Sequence, residues 1–201
     1  MAVAILAAGK SERMGRPKLL LPWRSGTVLQ HLVRNWVELG AKQIGVVWSR
    51  NAPEIKAELN RMGEPLALAI ENPDLHGEMW SSIQCAARWA SWQPDVSHFC
   101  LSLGDQPQIR IETLAALVVA TGSLESAGIV QPQFQGKRGH PVMFSRDWWN
   151  KVAGSDQTTL RDFLNANAAA IRLVELNDPG LAEDMDSPAD YQSALKRVCE
   201  S

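Results

Sequence analysis

The sequence predicts a three-layer α/β/α fold on a mostly parallel sheet. Apolar, β-rich runs alternate with stretches of helical period along all 201 residues. Such alternation implies parallel strands joined by right-handed crossovers. Hydrophobic residues make up 45% of the chain and charged residues 21%, which excludes disorder, a collagen helix and a coiled coil. No internal repeat or low-complexity linker breaks the chain, so residues 1–201 read as a single domain. A domain of that length buries roughly 70% of its unfolded surface and needs no disulfide or structural metal.

Val3 to Ala7 reads as a buried first strand, followed by a glycine-containing loop. A helix runs from Thr27, a capping residue, to Leu39, with Gly40 at the helix end where glycine is favoured. Ile44 to Trp48 is the next strand, Ala52 to Met62 a helix stopped by Gly63, and Leu66 to Ile70 a short strand. Gly77 to Trp92 has helical spacing, with Met79, Ile83, Ala86 and Ala87 on one face. Phe99 to Leu103 is an apolar strand ended by Gly104-Asp105-Gln106-Pro107. Ile111 to Ala120 is helical, and Gly128 to Gln131 and Pro141 to Phe144 are strands. Thr159 to Asn165 is helical, Ile171 to Leu176 a strand, and Pro188 to Val198 the last helix. Between Gln131 and Asp156 the alternation breaks, which suggests a substrate-facing insertion.

Twenty basic against twenty-two acidic side chains give a net charge of -2. That balance carries no footprint for a nucleic acid or an anionic membrane, so any phosphate must meet a few local cations. Cys85, Cys100 and Cys199 form neither a CxxC pair nor a disulfide framework, which suits a reducing compartment. The apolar start has no basic residue before it and is too short for a secretory core. No run is long enough for a membrane span, and a cytoplasmic location is expected. The eight tryptophans are expected to be core or substrate wall.

The loop after the first strand, Leu6-Ala7-Ala8-Gly9-Lys10-Ser11-Glu12-Arg13-Met14-Gly15-Arg16-Pro17-Lys18, is the most informative segment. Gly9-Lys10-Ser11 is no Walker A end, because the first glycine of that motif falls on Ala4; the middle glycine of a dinucleotide fingerprint is missing too. A small-residue turn remains, with Lys10, Arg13, Arg16 and Lys18 close together. Small residues let backbone N–H groups approach an anion, and the cations can neutralise phosphates. The plain alternative is a solvated basic loop. Its place at the carboxyl end of a strand favours the ligand, since open α/β sheets bind ligands there.

Leu6-Ala7-Ala8-Gly9-x-Ser11-x-Arg13-Met14-Gly15-x-x-Lys18 resembles the signature of the molybdenum cofactor nucleotidyltransferases, relatives of the sugar-phosphate nucleotidyltransferases. The similarity continues through Asn72-Pro73, Gly77 to Ser82, Gly104-Asp105-Gln106-Pro107 and Gly139-His140-Pro141-Val142. It ends with Asp184-Met185-Asp186-Ser187-Pro188-Ala189-Asp190-Tyr191, so the motifs span nearly the whole chain in family order. The resemblance implies a Rossmann-like, GT-A-like nucleotidyltransferase fold. It also implies a nucleotide site of Leu6, Ala7, Ala8, Gly9, Ser11, Arg13, Gly15, Lys18, Asn72, Ser82 and Asp105. Lys18, Arg13 and Asp105 would be catalytic, and Ser81, Gln106 and His140 would meet the acceptor.

Asp105 follows an apolar strand, at the same sheet edge as the loop. A carboxylate there can hold Mg²⁺ against nucleotide phosphates, although Gly-Asp-x-Pro is also plain turn chemistry. The family pattern maps a second metal ligand onto Asp186, with Asp184 behind it or exposed; Asp186 or Ser187 could instead cap the last helix. Mg²⁺, or Mn²⁺ in its place, is the expected cofactor. His140 is either structural or on the acceptor side. The backbone at the start of the Ser81-Ser82 helix can bind an anion. Trp80 departs from the family's small polar residues there, and Arg161 follows a phosphate-binding run only loosely.

The implied activity transfers CMP from CTP to molybdopterin phosphate with release of pyrophosphate. A phosphate monoester is largely ionised at neutral pH, so no strong base is required. Ala7-Ala8-Gly9 and Asp105-Gln106-Pro107 resemble the cytidylyl rather than the guanylyl branch. A cofactor-accepting enzyme is the expected transient partner. GTP as donor, a sugar phosphate or other phosphorylated acceptor, and a cofactor-binding chaperone without turnover are the alternatives.

Overall fold

The structure is a computed structural model that describes residues 1–9, 11–63, 67–75, 78–122 and 128–200. Lys10, and the expected element starts at Leu66 and Gly77, lie outside the described residues. The first half of the chain forms β1 (Ala2–Leu6), a small hairpin of β2 (Pro22–Trp23) and β3 (Gly26–Thr27), α1 (Val28–Glu38) and β4 (Gln43–Ser49). It continues with α2 (Pro53–Met62), β5 (Ala67–Asn72), α3 (Met79–Ala87), β6 (His98–Leu103) and α4 (Ile111–Gly122). The second half forms β7 (Ile129–Phe134), β8 (Lys137–Arg138), β9 (Val142–Ser145), α5 (Arg146–Ala153), α6 (Leu160–Ala166), β10 (Ile171–Glu175) and α7 (Pro188–Glu200).

Local chemistry explains the helix ends. Thr27 Oγ1 accepts from Gln30 N at 3.2 Å while Gln30 Oε1 accepts from Thr27 N at 3.3 Å, a reciprocal cap on α1. Gly40 and Gly63 close α1 and α2 at φ of 76° and 63°, where a Cβ would be strained.

The strand order is β10-β7-β9-β6-β1-β4-β5. Alternate residues feed two cores. Val3, Ile5, Val46, Cys100 and Met143 pack under α1, α2, α4 and α7. Ala2, Ala4, Phe99, Leu101 and Phe144 pack under α3, α5 and α6. The three-layer expectation holds. Trp23, Trp36, Trp48, Trp80, Trp92 and Trp149 are buried, so most tryptophans are core; Phe99 stacks on Trp149 with centroids 5.1 Å apart. No helix among the described residues is long and apolar enough to cross a membrane.

The expected insertion between Gln131 and Asp156 is instead part of the scaffold. β9 enters the middle of the sheet antiparallel to both β6 and β7, and α5 covers it through buried Trp149 and Val152. An apolar strand reads the same in either direction, and an eight-residue helix is too short to show a clear period.

The order of the sheet turns at β1. β4 and β5 lie on one side, and the chain then crosses to β6 on the other, which places the ligand crevice at the carboxyl ends of β1 and β6. Leu6 pairs with Leu103, and Gly104 N donates to Leu6 O at 3.1 Å. A Cβ on Gly104 would lie 2.5 Å from that carbonyl and 2.9 Å from Leu19 Cδ2.

Gly104→Ala is therefore expected to cost about 1–3 kcal/mol, the usual scale of overpacking, in a denaturant titration. A second expectation concerns His31 of α1, whose Nε2 lies 3.2 Å from Pro107 O. Burial first, then the Arg24 charge, lower its pKa from 6.5 to about 4. The unfolded chain takes up the proton first, so stability falls as pH drops from 6.5 toward 4. Allowing for partial exposure, the loss is about 1–2 kcal/mol; His31→Gln should lose that much less between about pH 7 and about pH 4.5.

Candidate functional site

A cavity of about 780 Å³ opens at the crevice between β1 and β6, walled by Leu6, Ala8, Gly9, Ser11, Arg13, Lys18, Asn72, Ser82, Asp105 and Asp186, among others. A second one of about 560 Å³ lies beside it, toward β4 and α2, and shares Ala8, Gly9, Ser11, Ser49, Asn51 and Leu75. Gly15 and Arg16 belong to this second wall. The loop curls because Ser11 and Gly15 both take positive φ, 50° and 65°. Ser11 Oγ accepts from Lys18 N at 3.2 Å, and buried Leu19 and Leu21 anchor the loop's end.

Lys18 is the centre of the site. Its Nζ is 2.6 Å from Asp105 Oδ2 and 3.1 Å from Asp186 Oδ1. Arg13 completes the cluster from the exposed side, with Nη2 2.8 Å from Asp186 Oδ2. Lys18 thus joins two carboxylates that lie far apart in the chain. Burial alone would raise the Asp186 pKa, but Lys18 and then Arg13 bring it below the ordinary value. Burial first, and the Asp105 charge next, push Asp184 up.

Backbone and amide clamps deliver Asp186. Met185 N donates to Asp105 O at 3.0 Å. Gln108 Nε2 donates to Glu183 O at 2.8 Å, and Gln106 Nε2 to Asp184 Oδ1 at 2.9 Å. The helix cap is decided as well. Ser187 Oγ accepts from Asp190 N at 3.3 Å and Asp190 Oδ2 from Ser187 N at 2.8 Å, so Ser187 caps α7 and leaves Asp186 to the cluster.

The structure moves several expected site residues off the wall. Ala7 is buried and its N–H is spent on Val47 O at 2.8 Å. Gln106 is buried in the clamp. Ser81 Oγ donates to Glu78 O at 3.0 Å, while its neighbour Ser82 reaches the cavity. Asn72 Nδ2 donates to both serine hydroxyls at 3.0 Å, tying β5 to α3. His140 Nδ1 is buried without a hydrogen-bond partner, and burial takes the pKa to about 4. The ring is therefore neutral near pH 7, and a hydrogen bond with the Leu101 backbone ties it to β6. Arg161 is exposed on α6, away from both walls. Sequence reasoning missed Ser49, Asn51, Leu75, Glu78 and Met79, which line the two cavities. The rule that flagged the loop after β1 applies equally after β4 and β5 and would have found them.

Residues 3–171 match the MobA-like NTP transferase domain. The chain belongs to the MobA-like NTP transferases. This MobA-like NTP transferase is 27% identical to the molybdenum cofactor cytidylyltransferase of Escherichia coli (strain K12), over 98% of this chain and 96% of that protein. It is 29% identical to nicotine blue oxidoreductase of Paenarthrobacter nicotinovorans, over 91% of this chain and 90% of that protein. Rv0371c from Mycobacterium tuberculosis H37Rv has the same fold, with a TM-score of 0.80 and 25% identity over 98% of each chain. That protein has also been solved in complex with manganese, with a TM-score of 0.72, 23% identity and 97% of each chain covered.

Removing the Ser187 cap and removing the Asp186 charge should have separable effects. Ser187→Ala is expected to cost about 1 kcal/mol by denaturant unfolding. Asp186→Asn should stay within about 0.5 kcal/mol, as is usual for a half-exposed position outside a cap.

Proposed function

We propose that this MobA-like NTP transferase moves CMP from CTP to the phosphate of a molybdopterin-type cofactor, releasing pyrophosphate. The observation that carries the reading is the Lys18 ammonium seated between Asp105 and Asp186 on the cavity wall. In this reading the small-residue turn at Ala8 and Gly9 lets the phosphates approach the main chain closely. Lys18 and Arg13 neutralise negative charge as it shifts onto the leaving pyrophosphate. The attacking phosphate oxygen forms a bond to the α-phosphorus, and the bond to the bridging oxygen of pyrophosphate breaks. Because the attacking oxygen is already ionised at neutral pH, the chain's task is positioning and charge neutralisation.

Asp105 and Asp186 suit a divalent cation. Asp105 Oδ1 is buried without a partner, and the two carboxylates already converge on one cationic group. No group of three or more His, Cys, Asp or Glu side chains that could hold a metal ion is present among the described residues. Two carboxylates completed by phosphate oxygens and water are the set that Mg²⁺ commonly takes. Bound there, Mg²⁺ or Mn²⁺ would supply further charge neutralisation at the nucleotide phosphates.

Cytidylyl choice is supported by Ala8, which lines both cavities. Its methyl group narrows the space open to a purine, and the guanylyl branch carries glycine there. The test is a screen of four nucleotides against molybdopterin and sugar phosphates, read by pyrophosphate release. CTP with the pterin acceptor should win, with a higher kcat/KM than GTP. Lys18→Met should lower turnover by about 10² or more at saturating CTP. Turnover with a sugar phosphate alone, or none with any pair, would overturn the reading.

A further inference from the structure

Each oxygen of Asp105 and Asp186 has a settled place in the charged cluster. Asp105 Oδ2 is 2.6 Å and Asp186 Oδ1 3.1 Å from Lys18 Nζ. Asp186 Oδ2 is 2.8 Å from Arg13 Nη2. Asp105 Oδ1 is buried and closed to an ion arriving from the cavity. A divalent cation that joins the two carboxylates therefore needs the oxygens that Lys18 holds. A doubly charged ion and an ammonium repel each other too strongly to share them at contact distance.

The two basic side chains of the cluster differ in how they can give way. The Arg13 side chain is 71% exposed and that of Lys18 only 12%, so water can replace Asp186 around Arg13 but not around Lys18. The Lys18 main chain is fixed, because its N–H donates to Ser11 Oγ at 3.2 Å and the next residue, Leu19, is buried. Only the side chain is free to swing, and a largely buried ammonium needs an anion wherever it settles. The cavity wall offers one such place. Ala8, Gly9 and Ser11 line it together with Lys18, at the turn where the nucleotide phosphates are proposed to lie.

We propose that Lys18 is a built-in counter-ion that couples cation binding to nucleotide binding. Seated on Asp105 and Asp186, its ammonium keeps a divalent cation off both carboxylates. When a triphosphate enters, the ammonium passes to the phosphates and frees the oxygens for the cation. Neither ligand then enters well alone, and the cation tightens the nucleotide by the same factor as the nucleotide tightens the cation. The inference rests on the proposed cation role of the two carboxylates and makes Lys18 a competitor for them as well as a phosphate ligand.

The test is a Mn²⁺ titration of the full chain without nucleotide, with free Mn²⁺ read by electron paramagnetic resonance. Lys18→Met should bind Mn²⁺ about tenfold or more tighter than wild type, the scale expected when one partly buried competing ion pair is removed. The gain in affinity would accompany the loss of turnover expected of the same variant. Arg16→Met controls for net charge, since Arg16 lines the neighbouring cavity; its Mn²⁺ affinity should stay within about threefold of wild type, as screening by salt allows. An equal gain in both variants would reduce the effect to net charge and overturn the inference. So would a Lys18→Met affinity no tighter than wild type while Mn²⁺ still binds with CTP present, and the cation reading survives either result. If neither wild type nor Lys18→Met holds Mn²⁺, with or without CTP, the cation reading itself fails and the inference falls with it. Should Lys18→Met not melt cooperatively, Lys18→Gln, an uncharged donor to the same carboxylates, is read in its place with the same expected gain.

Discussion

The hydrogen bond from Gly104 N to Leu6 O, 3.1 Å long, fixes the distance between the two chain segments that make the site. Leu6 and Leu103 end their strands at the same level. The residues that follow therefore leave the sheet side by side, one segment as the loop that leads to Lys18 and the other as the Asp105 turn. Glycine permits the approach, because a Cβ at position 104 would lie 2.5 Å from the Leu6 carbonyl oxygen, which is main chain and cannot turn aside. The ammonium of Lys18 can reach Asp105 because this spacing is set by main chain.

The second carboxylate arrives by a different route. Nothing near Asp186 in sequence points it at Asp105; the segment before it is carried there by main-chain and amide contacts. Asp178 accepts from Arg110 N at 3.0 Å and from Thr113 Oγ1 at 2.7 Å, pinning the segment to the start of α4. Gln106 and Gln108 hold the next residues, and Tyr191 of α7 donates to Pro22 O at 2.6 Å. The loop after β1 and the start of α7 are thus tied together, and the charged cluster sits between them. Once the like charges of Asp105 and Asp186 have been brought together, a cation between them is what makes the arrangement favourable.

The fold was legible where the signal is local. Thr27, Gly40 and Gly63 mark helix ends through a side-chain cap and through positive φ, both properties of single residues. The two cores follow from continuously apolar strands whose successive side chains face opposite sides of the sheet. The direction of β9 was not legible, because its apolar run is compatible with either orientation and is decided by pairing with β6 and β7.

The same division runs through the site. Sequence by itself determined the loop composition, the identity of the carboxylates and cations, and their order along the chain. These follow from residue type and from the rule that ligands gather at the carboxyl ends of parallel strands. Only the tertiary structure decided which of these residues reach the cavity. It turned Ala7 into the core, committed Gln106 to a clamp and paired Lys18 with both carboxylates. Exposure and hydrogen-bond partners are set by segments far away in sequence. A motif can therefore name the chemistry at a position without saying which way its side chain turns.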